Sequence, residues 1–166
     1  QMNWSAGLFN TNNYDDILFV ANSGSTGYFK NFGQTRRRGA EFAVSGREGK
    51  LSYVVNYTYL DATYQSAEEI LSPYNTSGNA NGLINIDKGN KIPLMPSNLL
   101  KLRVGYALDS SFNVGLGVNM VSSSYARGNE NNKQSPGITQ GLNSDGGTPT
   151  GANATVTGNT YASGGV

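Results

Sequence analysis

LSYVVNYTYLDATY, residues 51–64, decides how the chain is read. Leu51, Tyr53, Val55, Tyr57 and Tyr59 are apolar or aromatic, while Ser52, Asn56 and Thr58 between them are polar. A period of two over this length, in a run rich in β-branched and aromatic residues, predicts a strand with one apolar and one polar face. Residues 99–108, LLKLRVGYAL, repeat the pattern, with Leu100, Leu102, Val104 and Tyr106 opposed to Lys101, Arg103 and Gly105. In FNVGLGVNMV, residues 112–121, Phe112, Val114, Leu116, Val118 and Met120 oppose Asn113, Gly115, Gly117 and Asn119. Two further segments alternate in the same way. In residues 2–10, Met2, Trp4, Ala6 and Leu8 face away from Asn3, Ser5 and Gly7, and the strand is expected to resume from Tyr14 to Val20 after an irregular stretch. In residues 39–46, Ala40, Phe42 and Val44 oppose Glu41 and Ser45.

The connections carry as much information as the strands. GREGK, residues 46–50, and LDSS, residues 108–111, read as tight hairpin turns. Residues 65–98 and 122–160 are long connections, and long structureless loops are uncommon inside compact soluble domains. Short turns at one end of the strands and long loops at the other fit a transmembrane β-barrel with the short turns in the periplasm. The aromatics Trp4, Tyr53, Tyr57, Tyr59, Tyr106 and Phe112 fall mostly on the apolar faces near strand ends, as an interfacial girdle requires. A soluble all-β domain is the alternative that pattern alone leaves open.

Composition excludes other classes. The 166 residues are 37% hydrophobic and 14% charged, with 22 glycines and ten tyrosines, so the chain is polar without being ionic. A net charge of +1 gives no general attraction to nucleic acid. With neither histidine nor cysteine, the commonest acid/base and metal ligand is missing, as is any thiolate chemistry. No catalytic residue, cofactor or metal site is expected. The segment NTSGNANGLINIDKGN, residues 75–90, offers asparagine oxygens but a single carboxylate, Asp87, too little negative charge for a calcium loop. No apolar run approaches the ~20 residues of a membrane helix.

In order, WSAGLFNTNNYDDILFV, NFGQTRRRGAEFAVSG, LSYVVNYTYLDATY, GNKIPLMPSNLLKLRVGY and SSSYARGNENN resemble the later barrel strands of TonB-dependent outer-membrane receptors. The resemblance implies an all-β chain of antiparallel up-and-down strands, part of a 22-stranded transmembrane barrel in the cell outer membrane. It implies a fragment over residues 1–166 without the plug, early barrel and closing strands. It also implies energised uptake of a scarce nutrient, chiefly a ferric siderophore. The partners it implies are a TonB-type energy-coupling protein acting through the plug, the small-molecule ligand and outer-membrane lipid. Under this reading Tyr64, Tyr74 and Tyr125 are the aromatics expected to stack on ligand. Arg37, Glu41, Asn56, Lys101, Arg103, Asn113 and Asn119 are expected to line the lumen toward the plug, with Asp15, Asp16 and Glu41 as partners for Lys101 and Arg103. A passive barrel or adhesin and a soluble carbohydrate-binding β-sandwich remain alternative readings.

The triplet Arg36, Arg37 and Arg38 fits the same frame. A strand cannot place three consecutive side chains on one face, so this is not a phosphate-binding patch of the helical kind. With Glu41 lumen-facing, Arg37 shares its face, while Arg36 and Arg38 point toward lipid at about the outer interface unless a bulge at Gly39 shifts the count. Arg36 or Arg38 is then expected to meet outer-leaflet phosphate.

Overall fold

Antiparallel strands account for all the regular structure of the computed structural model, which describes residues 1–23 and 26–134. The strands are β1 (Met2–Ser23), β2 (Thr26–Glu48), β3 (Leu51–Tyr64), β4 (Glu68–Leu71), β5 (Leu83–Ile86), β6 (Asn98–Ala107) and β7 (Asn113–Val121). Five form one sheet in the order β1-β2-β3-β6-β7, and β4 and β5 form a separate two-stranded sheet. The larger sheet is not closed on itself, leaving β1 and β7 as its edges.

β1 and β2 are much longer than the alternation indicated, at 22 and 23 residues. The irregular stretch before Tyr14 remains extended, and the break in period coincides with Asp15, whose φ is +54°. An aspartate tolerates that left-handed conformation better than most residues, because its short side chain can bond locally. Residues 65–98 are also more ordered than a loop reading suggests, since they contain the β4–β5 hairpin with Ile70 paired to Ile84.

Chain contacts divide the protein into two units. The first comprises Gln1–Thr11, Arg37–Asp61 and Pro96–Ser123; the second comprises Asn12–Arg36, Ala62–Met95 and the described residues from Ser124 onward.

In the first unit the strand register unites the apolar residues. β3 pairs with β6 so that Tyr53 lies opposite Val104, Val55 opposite Leu102 and Tyr57 opposite Leu100. β7 continues each row, placing Leu116 beside Val104, Val118 beside Leu102 and Met120 beside Leu100. A slip of one residue would move every one of these side chains to the other face. Two turns hold the register. Gly49 and Lys50 make a two-residue connection in which Gly49 has φ +56°, as the first central position of a type II′ hairpin requires. At the β6–β7 turn, the Asp109 carboxylate accepts hydrogen bonds from the N–H groups of Ser111 (2.7 Å) and Phe112 (3.0 Å). The turns are adjacent, and Lys50 Nζ donates to the Leu108 carbonyl at 2.6 Å.

The second unit has its own apolar core. Val20, Phe32, Ala62, Tyr64, Ile70, Ile84, Ile86 and Ile92 are buried. The Phe32 and Tyr64 rings pack with centroids 5.0 Å apart. Lys30 ties β2 to β4 through the Glu68 carboxylate (3.2 Å) and the Glu69 carbonyl (2.9 Å).

Candidate functional site

The first unit presents two chemically distinct faces. On one, Trp4, Leu8, Val114, Leu116 and Met120 are exposed for more than half their surface, beside Phe42, Tyr57, Tyr59 and Tyr106. So large a continuous apolar surface is exceptional on a protein surrounded by water. The Tyr57 hydroxyl donates to Asn98 Oδ1 at 2.7 Å, giving the polar tip of the ring a partner at the end of the band. Phe112, 67% exposed, stands at the opposite end beside the short turn, and Tyr53 is half-buried two rows in from it.

The other face is polar and sparsely covered. Asn56 lies opposite Lys101, which lies opposite Asn119, so three strands contribute one hydrophilic row. Arg103 lies between Val54 and Gly117, with Gly105 opposite Gly115 in the next row of that face. The glycines leave a shallow depression beside Arg103, lined by Ser52, Val54, Gly105, Gly115 and Gly117. A second depression is bordered by Ser5, Gly7, Glu41, Ala43, Asn56 and Thr58. Glu41, Asn56, Lys101, Arg103, Asn113 and Asn119 are all exposed.

The expected carboxylate partners of the basic residues are placed elsewhere. Among the described residues no ion pair joins Glu41 to Lys101 or Arg103. Asp16 accepts a hydrogen bond from the Thr35 hydroxyl at 2.5 Å, and Asp15 is exposed at the backbone kink. The kink removes these two residues from simple alternation, so counting in twos along β1 does not locate them.

The arginine triplet is resolved by counting from the hairpin. Glu48 faces Leu51 across the turn, and the same count brings Arg38 opposite Asp61, where Arg38 Nε donates to Asp61 Oδ2 at 2.9 Å. It continues to Gln34 and Gln65, whose backbones are bonded at 2.8 Å. No residue is inserted at Gly39. Arg38 therefore shares the face of Phe42 and Val44, one row beyond Ala40 and Tyr59, and has a carboxylate partner of its own. Arg37 is half-buried, and Arg36 is half-buried with no partner for Nε among the described residues.

Polar bonds in the second unit centre on asparagines. The Gly128 carbonyl accepts from Ser72 Oγ (3.1 Å) and Asn75 Nδ2 (2.7 Å). Asn75 Nδ2 also reaches Asn131 Oδ1 (3.1 Å), and Asn131 Nδ2 donates to Ser77 Oγ (2.8 Å). Asn132, at φ +58°, accepts from Lys91 N–H (2.6 Å) and donates to the Lys91 carbonyl (3.0 Å), imitating a strand partner with its side chain. Glu130 is 1% exposed; its Oε1 accepts from Gly128 N–H, while Oε2 has no partner among the described residues. Burial pushes its carboxyl above the usual range, and the Gly128 N–H and the nearby Arg127 charge offset this only in part. Glu68 behaves oppositely. Its partial burial acts to raise it, yet hydrogen bonds from Gly33 N–H, Lys30 and Ser66 together hold it below the ordinary value.

The three aromatics singled out as ligand contacts separate in this structure. Tyr64 is 2% exposed and belongs to the core, because the lengthened β2 brings Phe32 over it. Tyr74 and Tyr125 are half-buried, and the Tyr125 carbonyl accepts from Leu94 N–H at 2.8 Å. Within residues 75–90 the oxygens of Asn75, Asn79 and Asn90 each accept a local hydrogen bond, and Asp87 pairs with Lys133 at 2.9 Å. Of the segment 122–160, residues 135–160 lie outside those described. Sequence reading missed the Ser72, Asn75 and Asn129–Asn132 network; the run Asn129-Glu130-Asn131-Asn132 was its only local signal, since asparagine favours such side-chain-to-backbone bonds.

Antiparallel strands with one lipid-compatible face, one wet face, and short turns gathered at one end define the wall of a transmembrane β-barrel. The family described as TonB dependent receptor-like, beta-barrel has a model that matches residues 1–161. The chain belongs to that family, whose barrels lie in the outer membrane and serve TonB-dependent transport.

Proposed function

We propose that the chain contributes to a receptor for energised uptake of a ferric siderophore. Residues 65–98 and 122–160 are its extracellular loops, and the polar face carrying Arg37, Glu41, Asn56, Lys101, Arg103, Asn113 and Asn119 looks toward the plug. A TonB-type protein supplies energy through that plug. Outer-membrane lipid contacts the aromatics Trp4, Tyr53, Tyr57, Tyr59, Tyr106 and Phe112, while Arg36 and Arg38 stand at its outer edge. No bond is made or broken by the chain itself; its task is selective binding and a low-friction wall.

The observation that best supports this reading is the sparseness of the polar face. Lys101, Arg103 and Asn119 are set among glycines, leaving room for another folded body to lie against the wall. A passive pore is a weaker fit, because the exposed apolar face accounts for the membrane in both cases but supplies no need for an ordered second unit. A soluble sandwich does not fit exposed Trp4, Leu116 and Met120.

The test is uptake of iron-55 ferric siderophores by cells with and without the receptor, in the presence and absence of the energy-coupling protein. Accumulation that requires both supports the reading. Equal accumulation without the coupling protein, or iron uptake indifferent to the receptor across catecholate, hydroxamate and carboxylate siderophores, refutes it.

A further inference from the structure

Glu130 is enclosed within the second unit but poorly satisfied there. It is 1% exposed, as is its neighbour Asn129. Its Oε1 accepts from Gly128 N–H at 3.0 Å, whereas Glu130 Oε2 and Asn129 Nδ2 have no hydrogen-bond partner among the described residues. No described residue forms an ion pair with it, and the cation that acts on it, Arg127, is itself exposed to water. An enclosed carboxyl in these surroundings costs far less with its proton than as an anion.

The residues around it form a clasp. Segment 128–134 is held to segment 72–77 because the Gly128 carbonyl accepts from Ser72 and Asn75, and Asn131 is bonded to both Asn75 and Ser77. Asn132 fixes the same segment to the Lys91 backbone through both of its amide atoms. Ser72, tied to the clasp through its hydroxyl, is 2% exposed. Each of these bonds joins amides, carbonyls or hydroxyls, none of which changes charge where carboxyls titrate. Glu130 is the acid enclosed among them.

We propose that Glu130 is a pH-sensitive catch: the clasp of segment 128–134 on segment 72–77 is closed while its carboxyl is neutral and loosens when it ionises. Opening lets water solvate the anion, and the proton passes to solvent. Burial acts in the same direction, raising the carboxyl above its ordinary range, with Gly128 N–H and Arg127 offsetting this in part. The closed form therefore has its full advantage below the ordinary glutamate value of 4.5 and loses it as pH rises through its own higher value. The other titratable or charged groups on the segments around the clasp are Tyr74, Asp87, Lys91, Arg127 and Lys133. Tyrosine, lysine and arginine side chains do not change charge where carboxyls titrate. Asp87 and Lys133 pair at 2.9 Å, each with more than half its side chain exposed; ionisation of Asp87 as pH rises would tighten the clasp, the opposite sense. Only the placement of the clasp outside the membrane rests on the uptake reading.

The experiment uses thiol reactivity. The chain has no cysteine, so Ser72→Cys puts a thiol of similar shape at the clasped position and Ala67→Cys puts one at an exposed position of the same unit. The receptor purified in detergent is treated with dithiodipyridine, which reacts with thiols in acid as well as at neutral pH, and peptide mass spectrometry locates the modified residue. The rate at residue 72 divided by that at residue 67 removes the pH dependence of the reagent and of the thiols, leaving the opening of the clasp. Between about pH 4 and pH 8 the ratio is expected to rise by up to about tenfold per pH unit while Glu130 titrates, and to stay level when Glu130→Gln is added. Asn131→Ala, which removes the bonds to Asn75 and Ser77, should raise the ratio about tenfold in acid. A ratio that stays level or falls with rising pH while residue 130 is glutamate overturns the catch, and that series needs no change at Glu130. An equal slope in Glu130→Gln overturns it too. A rising ratio in a receptor whose iron uptake ignores the coupling protein sinks the uptake reading and leaves the catch standing; coupled uptake with a level ratio does the reverse.

Discussion

Leu102→Arg is the substitution that most directly interrogates the two-faced sheet. The apolar rows of β3 begin at Leu51 and end at Tyr59, and Leu102 is paired with Val55 in the middle row, with Val118 on its other side. Nine residues at ~3.3 Å each, tilted by ~45°, traverse about 20 Å of bilayer normal, so Leu102 lies about 10 Å from either edge. An arginine at that depth on the lipid face costs roughly 2–4 kcal/mol, against about 0–1 kcal/mol near an interface. The folding equilibrium constant in lipid should therefore fall roughly 30-fold to 700-fold. Tyr59→Arg at the rim should lose at most about 1 kcal/mol. Asn56→Arg, adjacent to Val55 but on the polar face, should stay within about 0.5 kcal/mol of the parent. Denaturant titration of the receptor folded into vesicles, with heat-modifiable gel mobility reporting the folded fraction, measures all three. If Leu102→Arg folds as well as Asn56→Arg, the assignment of faces is wrong. A rim substitution costing more than the central one would overturn the depth count instead.

Other consequences concern the second unit. Tyr64→Ala removes a ring that is 2% exposed and stacked on Phe32, at a cost of about 3–5 kcal/mol confined to that unit. Hydrogen exchange at the Tyr64 and Ile92 amides should accelerate strongly while those of Val55 and Leu102 do not, and uniform acceleration would show that the units do not unfold separately. The raised carboxyl of Glu130 predicts a pH slope of definite sign. A buried acid whose native form holds its proton more tightly stabilises the fold most below the ordinary glutamate value of 4.5 and loses that contribution as pH rises through its own higher value. Protection of the Gly128 and Asn129 amides should then decline as pH climbs above 4.5, and Glu130→Gln should flatten the decline; protection that instead rises with pH would contradict the assignment.

How far the fold was legible depended on whether period two survived locally. From Leu51 to Tyr59, from Leu100 to Tyr106 and from Phe112 to Met120, alternation runs unbroken and the observed pairing places the apolar residues on one face. Where Asp15 turns the backbone to a positive φ, alternation fails, and β1 could not be followed as one strand from pattern alone. The β4–β5 hairpin was hidden for another reason. Each strand is four residues long, too short for a period to emerge, although Ile70, Ile84 and Ile86 are buried.

The candidate site shows what sequence withholds in a member of a family of transporters. A catalytic group announces itself by type, because few residues can do its work. A contact residue does not: Tyr64 and Phe29 are both aromatics, and only the fold reveals that one is sealed under Phe32 while the other stands 73% exposed against the edge of Phe19. The arginine triplet lies between these cases. Its alternation was readable, but the role of Arg38 depended on what stands opposite, and that followed from one turn. Once Gly49 and Lys50 are fixed as the two central residues, every cross-strand neighbour back to Gln34 and Gln65 is determined, and Asp61 becomes the partner of Arg38 by arithmetic. An arginine at the margin of an apolar band can be balanced by lipid phosphate or by a carboxylate on the next strand. Here the neighbouring strand supplies a carboxylate, Asp61, at 2.9 Å from Arg38 Nε.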